Sequence, residues 1–484
     1  MTLFVPTNFM SEQNAAERRS TVQNMAFSFL NHSLIPLLTD TDILVVGAGS
    51  AGCVAALAAS GQGCSVMLVE RYGFPGGTST QMLDTFYGFY TPGESPRKVV
   101  GGWPDRVVNE LHRTGDVFLR PNTYGAGTGV NYNPERLKLV WDSLLQENNV
   151  RLLLHTTLVD VAQEGEHWLG VFWNKGGFCK IRARRVIDAS GDADFCHLAG
   201  FDYELAGQHE PAQSMTTTFR MSNVDLDRYE AAGGKRMLKQ KMHESIESGR
   251  HRLPRKEGSA HEMNAKKCIS TVAVKVAGLS ALNADELTEA EIEGRRQAFI
   301  YERFFQQEVP GYEESNIIGL SHQIGVRETR RVYGEHRLTK DECMAGRLPT
   351  DGIFLCGAPI EDHRQGVDGQ DETYWEYIPG AGVYGVPYGC IVPRSSQTVW
   401  VVGRCFSATH DAHASCRSMA QTMSMGQAAG LAVVHSLKQD EAANRLSVSE
   451  LRGKLHDIGA VLELPDNVAD TSRNGWSNIS KKTD

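Results

Sequence analysis

The run DILVVGAGSAGCVAALAAS, residues 42–60, constrains the fold more than any other feature of this 484-residue chain. ILVVG is short, wholly apolar and ends in glycine, as a strand buried on both faces of a parallel sheet does. SAGCVAALAAS then reads as a helix of small residues, and SVMLVE at 65–70 as a second strand. The unit predicted is βαβ. Gly47 permits the tight turn, Gly49 lets the backbone approach a pyrophosphate, and Gly52 lets helix and strand pack closely. Ser50 and Ala51 fall in the first helical turn, where unbonded N–H groups and the positive helix end favour phosphate. Glu70, ending the second strand, is placed to accept hydrogen bonds from a ribose. With 48 glycines in the chain, a bare GxGxxG would be weak. The strand–turn–helix setting makes it a dinucleotide site. NAD and FAD share the adenosine half, so Glu70 does not separate them.

The length suggests two or three domains. Lys and Arg number 49 against 58 Asp and Glu, a net charge of −9, which offers no electrostatic case for nucleic acid or an anionic membrane. Ten cysteines lie scattered with no CxxC pair, so neither a zinc site nor a redox dithiol is signalled, and reduced thiols in a cytoplasmic protein are expected. No metal site and no transmembrane run are expected. Residues 1–40 read as an N-terminal extension, an arm or a short packed helix.

After the βαβ unit, NPERLKLVWDSLLQENNV reads as an amphipathic helix started by Asn133 and Pro134. A run of strands with turns at EGE and GGF follows, to about residue 188. The expected organisation is a nucleotide-binding domain over 41–201, an inserted substrate domain over 202–395, a closing part of the first domain over 396–440, and a tail over 441–484. TVWVVG marks the return to the sheet. Two further glycine patterns, IPGAGVYG (378–385) and GAGTGV (125–130), lack a preceding buried strand and a following helix, and read as loops.

ERYGFPGGTST, residues 70–80, adds paired glycines and hydroxyls after the ribose carboxylate. Here the sequence resembles the glutathione-reductase-like FAD flavoproteins, and within them a family of FAD-dependent oxidoreductases. VIDASGDADFCHLAG (186–200), GVRETRRVYGEHRLTKDE (325–342) and the closing block over 382–430 are similar to the family's later signatures, in the expected order. The resemblance implies FAD as cofactor. It implies an α/β fold: a glutathione-reductase-like Rossmann FAD-binding domain with an inserted α+β substrate domain. It places Arg71, Gly77, Thr78, Gly191, Asp192, Gly403, Arg404 and Gly426 at the cofactor. It also implies that the helix starting near Ser418 points its N-terminus at the flavin, where its dipole favours the reduced, anionic ring.

Candidate catalytic residues lie in SATHDAHASCR. His410 and His413 share a face if this segment is helical, and either suits a base that takes a substrate O–H or N–H proton as hydride leaves carbon. Hydrogen bonding to FAD or backbone is the competing reading. Arg417, beside the helix start, suits a substrate carboxylate or the charge on reduced flavin. Arg327, Arg330 and Arg331 suit an anionic group or ion pairs with Glu328 and Glu335. Tyr384 and Tyr388 suit a pocket or a packed core, and DTFYGFY (84–90) an aromatic wall or a core. WEYIP (375–379) is a near-miss to the tryptophan signature of flavin-dependent halogenases.

The expected function is hydride transfer from a small organic substrate to flavin, with electrons passing to O2 or an external carrier. Two alternatives stand beside it: an NAD(P)H-dependent flavin monooxygenase and a non-catalytic flavin-binding interaction protein. A small molecule, and no nucleic acid or membrane, is the expected partner, with a homo-oligomer left open.

Overall fold

The computed structural model describes residues 30–363 and 373–480; the segment up to residue 29, most of the extension expected at the N-terminus, lies outside them. The chain enters a sheet at β1 (Leu37–Val46), turns into α1 (Ser50–Ala59) and returns as β2 (Val66–Val69). β1 starts six residues before Ile43, where the sequence first reads as strand. The polar run to Asp42 gives no buried-strand signal because that end is largely exposed, while Ile43–Val46 is wholly buried. Helix α2 (Pro134–Glu147) is capped by Asn133, whose side chain accepts from the amides of Glu135 and Arg136. Strands β3 (Arg151–Leu153), β4 (Thr157–Glu164), β5 (His167–Asn174) and β6 (Gly177–Asp188) follow.

The sheet runs β3-β2-β1-β6-β5-β4. β1 pairs in parallel with both β2 and β6, and β2 in parallel with β3. β4, β5 and the first part of β6 form antiparallel hairpins. This is a mixed α/β fold with a Rossmann-like parallel sheet.

A separate four-stranded antiparallel sheet is built from β7 (Phe219–Ser222), β8 (Ser259–Glu262), β9 (Ile269–Val272) and β10 (Asn316–Leu320), in the order β8-β9-β7-β10. The long helix α3 (Ala284–Glu308) buries Tyr301, Phe304 and Phe305 in the core beneath it. That core draws on residues from Met215 to Ile324. The expected insert over 202–395 is therefore divided. Leu338, Ile353–Cys356, Val383–Val386 and Cys390–Val392 pack instead into the larger core around α1. Tyr384–Pro387, read from sequence as loop, is a strand paired with Gly352–Cys356. Its partner lies thirty residues upstream, beyond the reach of a local pattern.

The chain rejoins the first sheet at β11 (Val399–Val401), parallel to the end of β6. Helices α4 (His410–Cys416) and α5 (Met419–Gln439) close the fold. α5 crosses α1 so closely that a Cβ on Gly426 would lie 2.2 Å from the Ala51 carbonyl oxygen, and one on Gly430 2.3 Å from that of Ala55. Among the described residues no helix is long and apolar enough to cross a membrane, and all ten cysteines are free thiols, nine of them buried.

Candidate functional site

The turn after β1 carries the sequence's glycines for distinct reasons. Gly47 has φ +97°, and a Cβ there would sit 2.5 Å from the Ala189 carbonyl oxygen. A Cβ on Gly52 would meet the Gly47 oxygen at 1.9 Å, so Gly52 serves packing. Gly49 has nothing within 4 Å of the place its Cβ would take. Its backbone is open to a cavity of about 780 Å³, whose wall here includes Gly47, Ser50, Ala51, Glu70 and Gly77.

Glu70 is 6% exposed and is held from both sides. Its Oε2 accepts from the Ala48 amide at 2.8 Å and its Oε1 from the Tyr72 amide at 3.0 Å. Burial raises its carboxyl above the usual range against those two N–H donors. Arg71, Thr78, Gly191, Gly403 and Arg404 line the same end. Asp192 lies just behind, accepting from Arg404 Nη2 at 2.8 Å and from Thr329 Oγ1 at 2.9 Å. Burial alone would raise Asp192, but the Arg404 guanidinium holds it below the usual carboxylate range. Arg404 Nη1 is buried with no hydrogen-bond partner. An open glycine cradle and an unspent guanidinium nitrogen to donate to a pyrophosphate, and a fixed carboxylate to accept from a ribose, are the groups a dinucleotide needs. The residues fit FAD.

Sequence and comparison agree with that fit. The family described as FAD dependent oxidoreductase matches residues 42–455. The chain belongs to this family. It is an enzyme with FAD as its cofactor. No curated protein sequence matches it. Among solved structures it is similar to CabE, an aromatic hydroxylase from angucycline biosynthesis, at 15% identity over 62% of this chain and 54% of that one, with a TM-score of 0.37. It is similar to p-nitrophenol 4-monooxygenase PnpA from Pseudomonas putida at 11% identity, covering 87% and 84%, with a TM-score of 0.42. The flavin-dependent monooxygenase PieE, in complex with FAD and substrate, aligns at 13% identity over 83% of this chain and 59% of that one, with a TM-score of 0.42. The enzyme thus spans little more than half the length of two of these three.

Within the FAD enzyme the candidate catalytic residues divide. Arg417 lines the cavity, as do Ser418, Met419 and Thr422 at the start of α5. His410 and His413 both sit on α4, as expected, but neither reaches the cavity. His410 lies between Glu328 Oε1 at 3.1 Å and Asp362 Oδ1 at 3.3 Å. Burial disfavours its charge, yet these two carboxylates raise it to about 10. His413 is fully buried, stacked on Phe406, with Nε2 donating to the Arg404 carbonyl at 2.7 Å. Burial lowers it to about 3. One histidine is locked as a cation and the other as a neutral spacer.

One further expectation is corrected, and several open readings are decided. Gly426 faces α1, not the cavity. Tyr384 and Tyr388 are core residues: the Tyr384 hydroxyl meets Ser415 Oγ at 2.7 Å, and the Tyr388 hydroxyl accepts from Trp400 Nε1 at 2.8 Å. Of DTFYGFY, only Tyr87 reaches the cavity; Phe86, Phe89 and Tyr90 are wholly buried. Arg331 is a buried ion-pair residue between Glu328 and Glu204, and Arg330 binds the Asp192 carbonyl at 2.7 Å. Arg327 alone of the three lines the cavity.

Sequence reasoning missed Ser259, His261 and Asp84. Ser259 lines the cavity, and its Oγ lies 3.4 Å from His261 Nδ1. His261 Nε2 lies 2.8 Å from Asp84 Oδ1, both side chains being nearly inaccessible. Burial, with Arg120 and Lys235 nearby, keeps His261 below its ordinary range and therefore neutral. Burial would raise Asp84, but His261, Arg220 and Arg120 hold it ionised. The imidazole then donates from Nε2 to Asp84 and presents Nδ1 as acceptor to the Ser259 hydroxyl. The alternation SAHE places both side chains on one face of β8, which was the available signal. Asp84 comes from 177 residues away, and no spacing announces it.

Proposed function

We propose that the enzyme oxidises a small organic substrate at a carbon bearing a hydroxyl or amine, and that electrons then pass to O2 or an external carrier. One observation carries this reading. A single cavity joins the glycine cradle to a second half lined by Ser259, whose hydroxyl lies against a buried, neutral histidine. When bound, FAD supplies a two-electron acceptor for hydride.

Gly49, Gly77, Arg71, Arg404 and Glu70 would hold the nucleotide; Ser418, Met419 and Thr422 would hold the ring end, where the positive end of α5 favours negative charge. The glutathione-reductase-like class, with the α3 unit as substrate domain, belongs to the same reading. As the C–H bond breaks and hydride leaves carbon, the substrate O–H or N–H proton moves to Ser259 Oγ, and the Ser259 proton moves to His261 Nδ1. Asp84 stabilises the imidazolium formed and fixes the ring's tautomer. His410, already protonated and walled off, takes no part.

Anaerobic absorbance spectroscopy tests the reading. Alcohols or amines should bleach the flavin bands while NADPH leaves them unchanged on the same timescale. Bleaching by NADPH within seconds would instead establish the monooxygenase alternative. No bleaching by NADPH or by any substrate in a broad screen would favour a non-catalytic role.

A further inference from the structure

The wall facing the glycine cradle is crowded with cations, although the chain is acidic overall. Arg120, Lys235, Arg255, Arg327 and Arg417 reach the cavity from separate stretches of chain. Their hydrogen bonds go to neutral groups. Arg255 Nη2 donates to Thr373 Oγ1 at 3.1 Å, Arg327 Nη1 to the Ser214 carbonyl, and Arg417 Nη2 to Gln213 Oε1 at 2.9 Å and the Glu361 carbonyl at 3.3 Å. Arg120 donates to Asn131 Oδ1 and the Tyr87 hydroxyl.

The nearby carboxylates are mostly committed elsewhere. Glu257 pairs with Lys239 at 2.9 Å; Glu361, in the cavity wall, accepts from the neutral His363 Nε2 at 3.1 Å and keeps its charge toward Arg327 and Arg417. Glu328 and Asp362 face His410 and Arg331. Among the described residues, guanidinium groups therefore outnumber the carboxylates left to balance them. Burial, together with the charges of Arg417 and Arg255, pulls Arg327 down to about 9 against the opposing pull of Glu361 and Asp362. Arg417 Nε is buried with no hydrogen-bond partner.

These cations are surplus to the cofactor's phosphates, which have Arg71, Arg404 and the cradle at the other end. An oxyanion would repay the crowding, because planar guanidinium forks match its geometry in pairs. Tyr87, Trp375 and Tyr377 line the same half and offer flat apolar faces to the body of such a molecule.

We propose that the substrate is a small organic oxyanion, a carboxylate or a phosphate, whose charged group is gripped by Arg255 and Arg327 with Arg417 beside them. The inference rests on the oxidation reading above, and it names the class of molecule oxidised.

Calorimetric titration of the FAD-loaded protein tests it, with benzoate and phenyl phosphate as anionic probes and benzamide as the neutral control. At least one anion should bind ten or more times tighter than benzamide, and the tighter of the two tells carboxylate from phosphate. Arg327→Gln and Arg255→Gln should each weaken that anion at least tenfold, and Arg327→Lys should recover part of the loss. Bound flavin in each variant, read from its absorbance, shows that the fold and the cradle are intact. No anion preference, or unchanged affinity in both Gln variants, overturns the proposal. Anion binding without reduction by any substrate would leave this site standing and remove the oxidation reading instead.

Discussion

The two halves of the cavity are built in opposite ways. The cradle half comes largely from consecutive residues: Gly47 to Ala51 in one turn, Glu70 to Thr78 in the next. Its chemistry is backbone amides, one carboxylate and close approaches that only glycine permits. The far half is assembled from side chains at positions 87, 120, 259, 327, 375 and 417, each delivered by a different element. A local turn can be written in a dozen residues. A wall of side chains needs the whole fold to bring it together.

The largest effect should come from breaking the cradle. Gly47→Val adds a β-branched side chain at φ +97°, where its Cβ alone would lie 2.5 Å from the Ala189 oxygen. The purified variant should be essentially colourless, with FAD binding weakened beyond a hundredfold in a fluorescence titration, whereas Arg327→Gln should keep its full flavin content.

Next in size is the buried network behind the far half. His410→Gln removes the cation that Glu328 and Asp362 share, leaving Glu328 to Arg331, and should cost about 3 kcal/mol in urea unfolding. His410 is raised to about 10, above an unfolded value near 6.5. Its contribution is thus complete below about pH 6.5 and is lost as pH rises through about 10. The wild-type stability advantage over His410→Gln should shrink across that window.

The smallest effect concerns the scaffold that the halves share. Gly426→Ala puts a methyl 2.2 Å from the Ala51 oxygen, and α5 must move off α1. The expected loss is about 2 kcal/mol, read as a lowered melting temperature.

Legibility followed the same division. The βαβ unit, the α2 cap at Asn133, the start of α5 and most of the cradle could be read because periodicity, capping and glycine placement are local signals. The sequence pointed to His410 and His413 because they lie beside a recognisable signature. Nothing local reveals that Glu328 and Asp362 enclose the first and Arg404 holds the second. His261 gave the converse case, an ordinary strand histidine until Asp84 packs against it. Gly426 was placed at the cofactor when its small size serves a helix crossing, since glycine's absence of a side chain does not say which neighbour needs the room.

The central claim is that proton chemistry belongs to the far half through Ser259, His261 and Asp84. The most direct measurement is the pH dependence of anaerobic flavin reduction by stopped flow, in the wild type, His261→Gln and His410→Gln, using the fastest-reducing substrate from the screen. The wild-type rate should rise with pH through an ionisation below 6.5, where neutral His261 becomes available. In His261→Gln the rate should fall by about a hundredfold or more, with that ionisation gone, while His410→Gln should keep the wild-type profile. A wild-type rate and profile in His261→Gln, or loss of the ionisation in His410→Gln, would contradict it.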